Sequence, residues 1–371
     1  MKILFYFGGF APIGGIETFC KNLLFYLEAK NYSCRLVCWG PVSPLLQSLK
    51  QAKVKIVRSF WQWGCRWNLP DWLLLPFGIQ EIKQANIVIF GKLLPNNILK
   101  LLRLQSDNTA KFVYITPYRP SAPKTIEGKK DFIEILDNFD LILVQASAFQ
   151  EDLYQIGYQG RLETIPYIPR QPGKLICFPT VKELKIGFLG RLVEDKNIPF
   201  LIEAFSCFQN KWLQISSSRA KQQKPSLHIF GDGHLREQLE KLASDLGIAC
   251  SVIFHGSIAN NEVESAISLC HLFAFTSRTE GQCLAALEIL GCGRPIVATN
   301  AGALPDILSD SRLGYIVEST DPNVFADSLM QMANLIEQES ISPETICSAY
   351  LERYAPEKVG ERYKQVLDSL L

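Results

Sequence analysis

Short apolar, β-branched runs alternate with longer stretches of helical periodicity along the 371-residue chain. In the first half this pattern predicts strands near 2–7, 34–39, 54–58, 86–90, 111–116, 141–145 and 162–165. Helices are expected near 15–29, 71–84, 95–104, 129–137 and 147–156. Alternation of this kind predicts an α/β protein with parallel, doubly wound sheets. The pattern breaks over Ile165–Pro179, which holds four prolines. Proline has no amide hydrogen for a sheet ladder and disrupts a helix interior, so the segment reads as a linker. Alternation resumes at Leu184–Leu189, with strands near 226–230, 251–254, 271–276, 295–298 and 313–317. Helical patterns near 322–337, 343–353 and 356–370 close the chain.

A length of 371 residues predicts about two domains at roughly 100–200 residues each. The linker places one at 1–178 and the other at 179–352, with a terminal helix, 353–371, crossing back to the first. Two doubly wound domains facing a cleft suit a nucleotide-linked ligand, because free helix N-terminal amides gather beyond the carboxyl ends of the strands.

Composition narrows the class. With 47% hydrophobic and 20% charged residues, the chain is that of a folded protein. No apolar run approaches the roughly 18–20 residues of a membrane span. The apolar start Ile3–Phe7 is cut short by Gly8 and Gly9 and reads as a buried strand, not a signal peptide. A cytoplasmic protein is therefore expected. The eleven cysteines include no Cys-x-x-Cys pair, and contexts such as those of Cys20, Cys177, Cys207 and Cys270 suggest reduced core thiols. Four histidines without zinc-ligand spacing give no reason to expect a metal.

The net charge of +1 argues against a nucleic-acid partner, but it conceals an asymmetry. Residues 1–180 carry 21 Lys and Arg against 13 Asp and Glu, whereas residues 181–371 carry 17 against 24. A basic half is thus joined to an acidic half, which implies different partners for the two domains.

Three stretches carry candidate chemistry. Gly8–Glu17 links the first strand to a helix through a glycine loop containing Gly14 and Gly15. It lacks the lysine of a phosphate-binding Walker loop and the G-x-G-x-x-G spacing of dinucleotide enzymes. Either a ligand-approaching loop or a plain tight turn explains it. In Gly190-Arg191-Leu192-Val193-Glu194-Asp195-Lys196, two cations precede a helix, as a pyrophosphate site or as a solvated loop. In Thr276–Glu288, Glu280 lies in a loop and Glu288 about two turns along the following helix. Glu288, among Ala, Leu and Ile, should face inward and require partners, because an unpaired buried carboxylate is costly. Ribose hydroxyls are suitable donors.

This ordered set resembles the GT-B glycosyltransferases of the large retaining group called family 4. Gly231-Asp232-Gly233, Gly293–Ala298 and Ala301–Asp306 add to the resemblance, which spans the chain and is strongest from 185 to 320. It implies retaining transfer of a sugar from a UDP- or GDP-sugar to a glycan or lipid-linked acceptor. Arg191 and Lys196 would stabilise the departing diphosphate, Glu280 would grip the donor sugar, and Glu288 would bind the ribose. Gly14 and Gly15 would shape the loop facing the phosphates, with Gly281, Gln282, Cys283 and Leu284 completing the sugar and phosphate side. Gly231 would lie near the base, with His234 at the nucleotide or at an exposed helix start. Such enzymes place a histidine in the region that here reads Phe112–Ser121, so Tyr118 or Arg119 is the expected substitute donor. No Asp-x-Asp motif occurs, and leaving-group stabilisation without metal or cofactor is expected. A sugar-nucleotide epimerase or hydrolase and a non-catalytic nucleotide-sugar-binding module remain alternatives.

On the acceptor side, Trp61, Trp63, Arg66, Trp67 and Trp72 follow Lys50, Lys53, Lys55 and Arg58. Residues 50–72 suit peripheral docking on an anionic membrane, sugar stacking, or an aromatic cluster beneath a loop.

Overall fold

Strands that read as unbroken apolar runs are buried on both faces, the signature of a parallel sheet covered on each side. Ile87–Phe90, Leu141–Val144 and Leu272–Phe275 are each buried at every position. The computed structural model describes residues 1–9, 15–39, 55–58, 75–106, 109–116, 125–171, 173, 175–179, 183–216, 224–259 and 261–371. These residues divide into two units, Met1–Pro169 with Pro356–Leu371, and Arg170–Ala355.

The first unit contains strands β1 (Lys2–Gly9), β2 (Ser33–Trp39), β3 (Lys55–Arg58), β4 (Ile87–Phe90), β5 (Lys111–Ile115), β6 (Leu141–Val144) and β7 (Leu162–Thr164). They form a parallel sheet in the order β3-β2-β1-β4-β5-β6-β7. Its described helices are α1 (Gly15–Ala29), α2 (Leu75–Lys83), α3 (Asn96–Gln105), α4 (Ile126–Leu136), α5 (Ser147–Gln155) and the chain-terminal α13 (Pro356–Asp368). α13 packs closely on α1 because Gly360 admits the Tyr26 ring, where an added Cβ would lie 2.4 Å from Cε2. The Tyr26 hydroxyl donates to Glu361 at 3.0 Å, the Tyr32 hydroxyl to Asp368 at 2.6 Å, and Lys30 pairs with Glu357.

The second unit contains β8 (Lys185–Leu189), β9 (Ser226–Phe230), β10 (Val252–Gly256), β11 (Leu272–Phe275), β12 (Ile296–Thr299) and β13 (Gly314–Val317), in the order β10-β9-β8-β11-β12-β13. Its helices are α6 (Ile198–Ser216), α7 (Arg236–Asp245), α8 (Val263–Ser268), α9 (Leu284–Gly291), α10 (Leu304–Ile307), α11 (Pro322–Glu337) and α12 (Pro343–Tyr354). α11 and α12 begin with proline behind Asp321 and Ser342, whose side chains accept from Asn323 N and Thr345 N. This arrangement satisfies helix-start amides and uses proline where its missing N–H costs nothing. Phe200 of α6 meets Phe325 of α11 edge-on at 5.7 Å.

The expected boundary at 178 moves to Pro169, because Ile176, Cys177 and Pro179 are held by the second unit. Fully buried Arg294 donates to the carbonyls of Ile176 at 2.7 Å, Cys177 at 2.8 Å and Cys270 at 2.7 Å, and lies over the Phe178 ring. His271 also bonds the Pro179 carbonyl at 3.2 Å. The described cysteines are free thiols, and Cys177, expected in the core, is exposed. Its carbonyl, not its side chain, is held by Arg294.

Candidate active site

The order of the second sheet reverses between β8 and β11, so the connections leaving these two strands part to opposite sides. The crevice beyond their carboxyl ends is where ligands settle in open α/β sheets. The residues there are Gly190–Asn197 after β8 and Thr276–Cys283 after β11. These loops are laced together: Arg278 N donates to Asp195 O at 2.8 Å, and the Thr276 hydroxyl lies 3.1 Å from the carbonyls of both Lys196 and Asn197. Asn197 adopts the left-handed conformation, with φ of 48°, ending a 3-10 turn over Glu194–Lys196 before α6 starts.

This lacing brings Lys196 Nζ to 2.5 Å from Glu280 Oε1. The side chains are 19% and 6% exposed, so the pair is screened from bulk water but open on one side. The Ser277 hydroxyl donates to the same carboxylate oxygen at 2.7 Å. Cys283, held at φ of 55°, immediately precedes α9, which begins four residues after Glu280. Burial, and after it the neighbouring Glu280 carboxylate, push the Cys283 thiol well above its ordinary pKa, so it is a neutral packing group rather than a nucleophile. The loop after β12 closes the far side: Ala303 N donates to Gly281 O, and Gly302, at φ of 56°, lies where a Cβ would come 2.2 Å from Glu280 O.

The remaining sequence-predicted residues are placed as follows. Arg191 is exposed at the end of β8, and among the described residues it has no ion-pair partner. Gly231, at φ of 137°, presses on the β8 loop, where a Cβ would lie 1.8 Å from Gly190 O. Leu192 N then donates to Asp232 O at 3.0 Å, so the Gly231–Gly233 turn and the Arg191 loop form one backbone-bonded layer. His234 is exposed and bonds Glu194 at 2.8 Å, holding that carboxyl below its usual pKa. Gln282 is buried beside Cys283, and Leu284 opens α9. Glu288 on α9 stands 3.5 Å from Arg170, with its side chain 25% exposed. Burial raises its pKa, and Arg170 opposes that rise. Gly15 begins α1 in the first unit. Gly14, Tyr118, Arg119 and the tryptophans at 61–72 lie outside the described residues.

The sequence did not single out Ser277 or Arg170. Ser277 stands three residues before Glu280 in a loop that precedes α9, so it carries no helix-start signal of its own. Arg170 meets Glu288 across a linker and left no local signal. Among the described residues, no group of three or more His, Cys, Asp or Glu side chains is placed to hold a metal ion. No described helix is long and apolar enough to cross a membrane.

Residues 179–343, which hold this entire crevice, match the family described as glycosyl transferases group 1. The match takes in most of the second unit and less than half of the chain. A D-inositol 3-phosphate glycosyltransferase of Corynebacterium jeikeium is 30% identical over 218 residues, covering 53% of this chain and 49% of that protein. A poly(ribitol-phosphate) alpha-N-acetylglucosaminyltransferase of Staphylococcus aureus is 26% identical over 189 residues, covering 50% of this chain and 35% of that protein. The chain thus spans about half, or less, of the length of the curated relatives it matches. Among solved structures, the lipopolysaccharide outer core galactosyltransferase WaaB superposes with a TM-score of 0.74 at 19% identity, and Anabaena HepE in complex with UDP with 0.74 at 17%. Both are covered in full, as is this chain. The chain therefore has the GT-B fold of these structures.

Proposed function

We propose that the protein is a retaining glycosyltransferase that moves a hexose-type unit from a nucleoside-diphosphate sugar to a glycan or lipid-linked acceptor, without a metal. The observation that carries this reading is the Lys196–Glu280 pair at the sheet's switch point, beside exposed Arg191 and the start of α9. Breaking a glycosyl–phosphate bond builds negative charge on the diphosphate and positive character on the sugar. Fixed cations and helix amides oppose the first without reorganisation. An ammonium has three donors, so Lys196 keeps Glu280 while offering the others to a phosphate oxygen. Glu280 accepts from sugar hydroxyls, and Glu288 accepts from the ribose. HepE has been crystallised with UDP and with UDP-glucose, and a Mycolicibacterium smegmatis relative is named a GDP-mannose-dependent mannosyltransferase. UDP- and GDP-sugars are accordingly the donors proposed here. Peripheral membrane docking of the acceptor side through residues 50–72 belongs to the same proposal.

The test is release of UDP or GDP from UDP-glucose, UDP-N-acetylglucosamine and GDP-mannose, with and without EDTA, and proton NMR of the new anomeric centre. EDTA-resistant turnover with retained configuration is expected. Binding without turnover of any donor, in the presence of lipid and glycan acceptors, would overturn the reading in favour of a non-catalytic sugar-nucleotide module.

A further inference from the structure

Glu280 is held more tightly than a residue that only meets a substrate needs to be. Two donors from different directions converge on Oε1: the Lys196 ammonium at 2.5 Å, from the loop after β8, and the Ser277 hydroxyl at 2.7 Å, from the end of β11. Ser277 is itself fixed. It is 2% exposed, and its carbonyl accepts from the Thr299 hydroxyl on β12 at 2.7 Å. Its neighbour Thr276 holds the backbone of Lys196 and Asn197. The serine therefore ties the carboxylate to the rigid end of the sheet, whereas the lysine ties it to a loop.

A carboxylate held at one oxygen by a single flexible lysine can still rotate about its last torsion, which is a broad, shallow minimum. A second donor on the same oxygen, projecting from a different strand end, fixes that rotation and hence the direction of Oε2. We infer that Ser277 is a positioning residue for the transfer reaction: its buried hydroxyl locks Glu280 against Lys196 so that Oε2 meets the donor sugar in one orientation. This inference rests on the transferase reading given above. A misdirected carboxylate still leaves the nucleotide its other contacts, so the loss should fall on the chemical step rather than on donor affinity.

The experiment measures steady-state donor turnover for Ser277→Ala, Ser277→Thr, Glu280→Gln and the Ser277→Ala/Glu280→Gln double variant, with the melting temperature of each. Removing a hydrogen bond to a charged group should lower kcat by about 10- to 100-fold in Ser277→Ala, with KM essentially unchanged. Ser277→Thr, which keeps the hydroxyl, should recover most of the rate. In the Glu280→Gln background the serine substitution should cost less than about 3-fold, because the partner it positions is already impaired. A merely structural serine would lower melting temperature and rate together and would cost the same in both backgrounds, and that result overturns the inference. Full activity of Ser277→Ala in a preparation whose wild type turns over overturns it alone. A wild type that turns over no donor overturns the transferase reading, and this inference with it.

Discussion

The Arg170 guanidinium stands 3.5 Å from the Glu288 carboxylate, so the residue that opens the second unit covers the carboxylate proposed to bind the ribose. The contact joins a proline-rich linker to the fifth residue of a helix, 118 positions along the chain. With Arg170 about two-fifths exposed, the pair is an accessible one that a ligand can displace. On the proposed reading, Arg170 and the ribose hydroxyls would compete for the same oxygens.

Removing that competitor should tighten nucleotide binding. Exposed ion pairs are worth up to about 1 kcal/mol, so Arg170→Ala should improve the Kd for UDP or GDP by roughly 2- to 5-fold. Titration calorimetry against wild type measures this. Unchanged or weaker binding would show that Arg170 is either irrelevant to the nucleotide or one of its ligands.

The two acidic residues should separate by kinetics. Glu280→Ala removes the carboxylate at the proposed reacting centre and should lower kcat by at least about 100-fold. Glu288→Ala should raise the donor Kd by roughly 10-fold or more, consistent with losing one charge-assisted bond, and leave more of kcat intact. Equal losses in both parameters for both variants would mean that the sheet's switch point is not the donor site.

The elements of this protein were readable because parallel strands buried on both faces announce themselves as short apolar runs. α1 at Gly15–Ala29, β9 at Ser226–Phe230 and α11 at Pro322–Glu337 coincide with the ranges expected from periodicity. The places of Arg191, Lys196, Glu280 and Glu288 in the fold were readable because each follows a strand or lines a helix; their roles remain the proposal above. The partners were not. The proximity of Lys196 to Glu280 depends on β8 and β11 being neighbours in the sheet, and the contact of Arg170 with Glu288 depends on the path of the linker. Neither is encoded in local periodicity. The domain boundary shifted for a related reason: the prolines mark where regular structure stops, but the buried cation of Arg294 decides which unit holds the linker.

That role of Arg294 predicts a stability effect. Its guanidinium satisfies three carbonyls at 2.7–2.8 Å with no solvent exposure. Arg294→Ala leaves these acceptors unpaired in a buried setting and should cost about 3–5 kcal/mol. Arg294→Lys should recover little, because a single ammonium cannot reproduce the planar fork. Calorimetric melting of the full chain should show the second unit's transition falling by roughly 6–20 °C for the alanine variant. A shift below about 2 °C would mean that the linker is held by other contacts.

The last prediction concerns acid. His271 accepts from Lys185 N at Nδ1 and faces the Pro179 carbonyl at Nε2, so the neutral ring with its proton on Nε2 satisfies both neighbours. Burial lowers its pKa to about 4. His228 falls to about 4 as well, through burial and then the adjacent His255, whose ring nitrogen lies 2.9 Å away. Both folded-state values lie below the ordinary 6.5. Between about pH 6.5 and 4 the unfolded chain therefore binds protons that the folded chain refuses. Stability from these two rings is fully present above about pH 6.5, declines as the pH falls through that window, and levels off below about pH 4. The total is on the order of a few kcal/mol. Urea unfolding midpoints at pH 7.5, 6, 5 and 4.5 should fall progressively, and the slope should flatten in a His228→Asn/His271→Gln variant. If the variant keeps the wild-type slope, the acid sensitivity lies elsewhere, and neutral His271 is not what joins Pro179 to the start of β8.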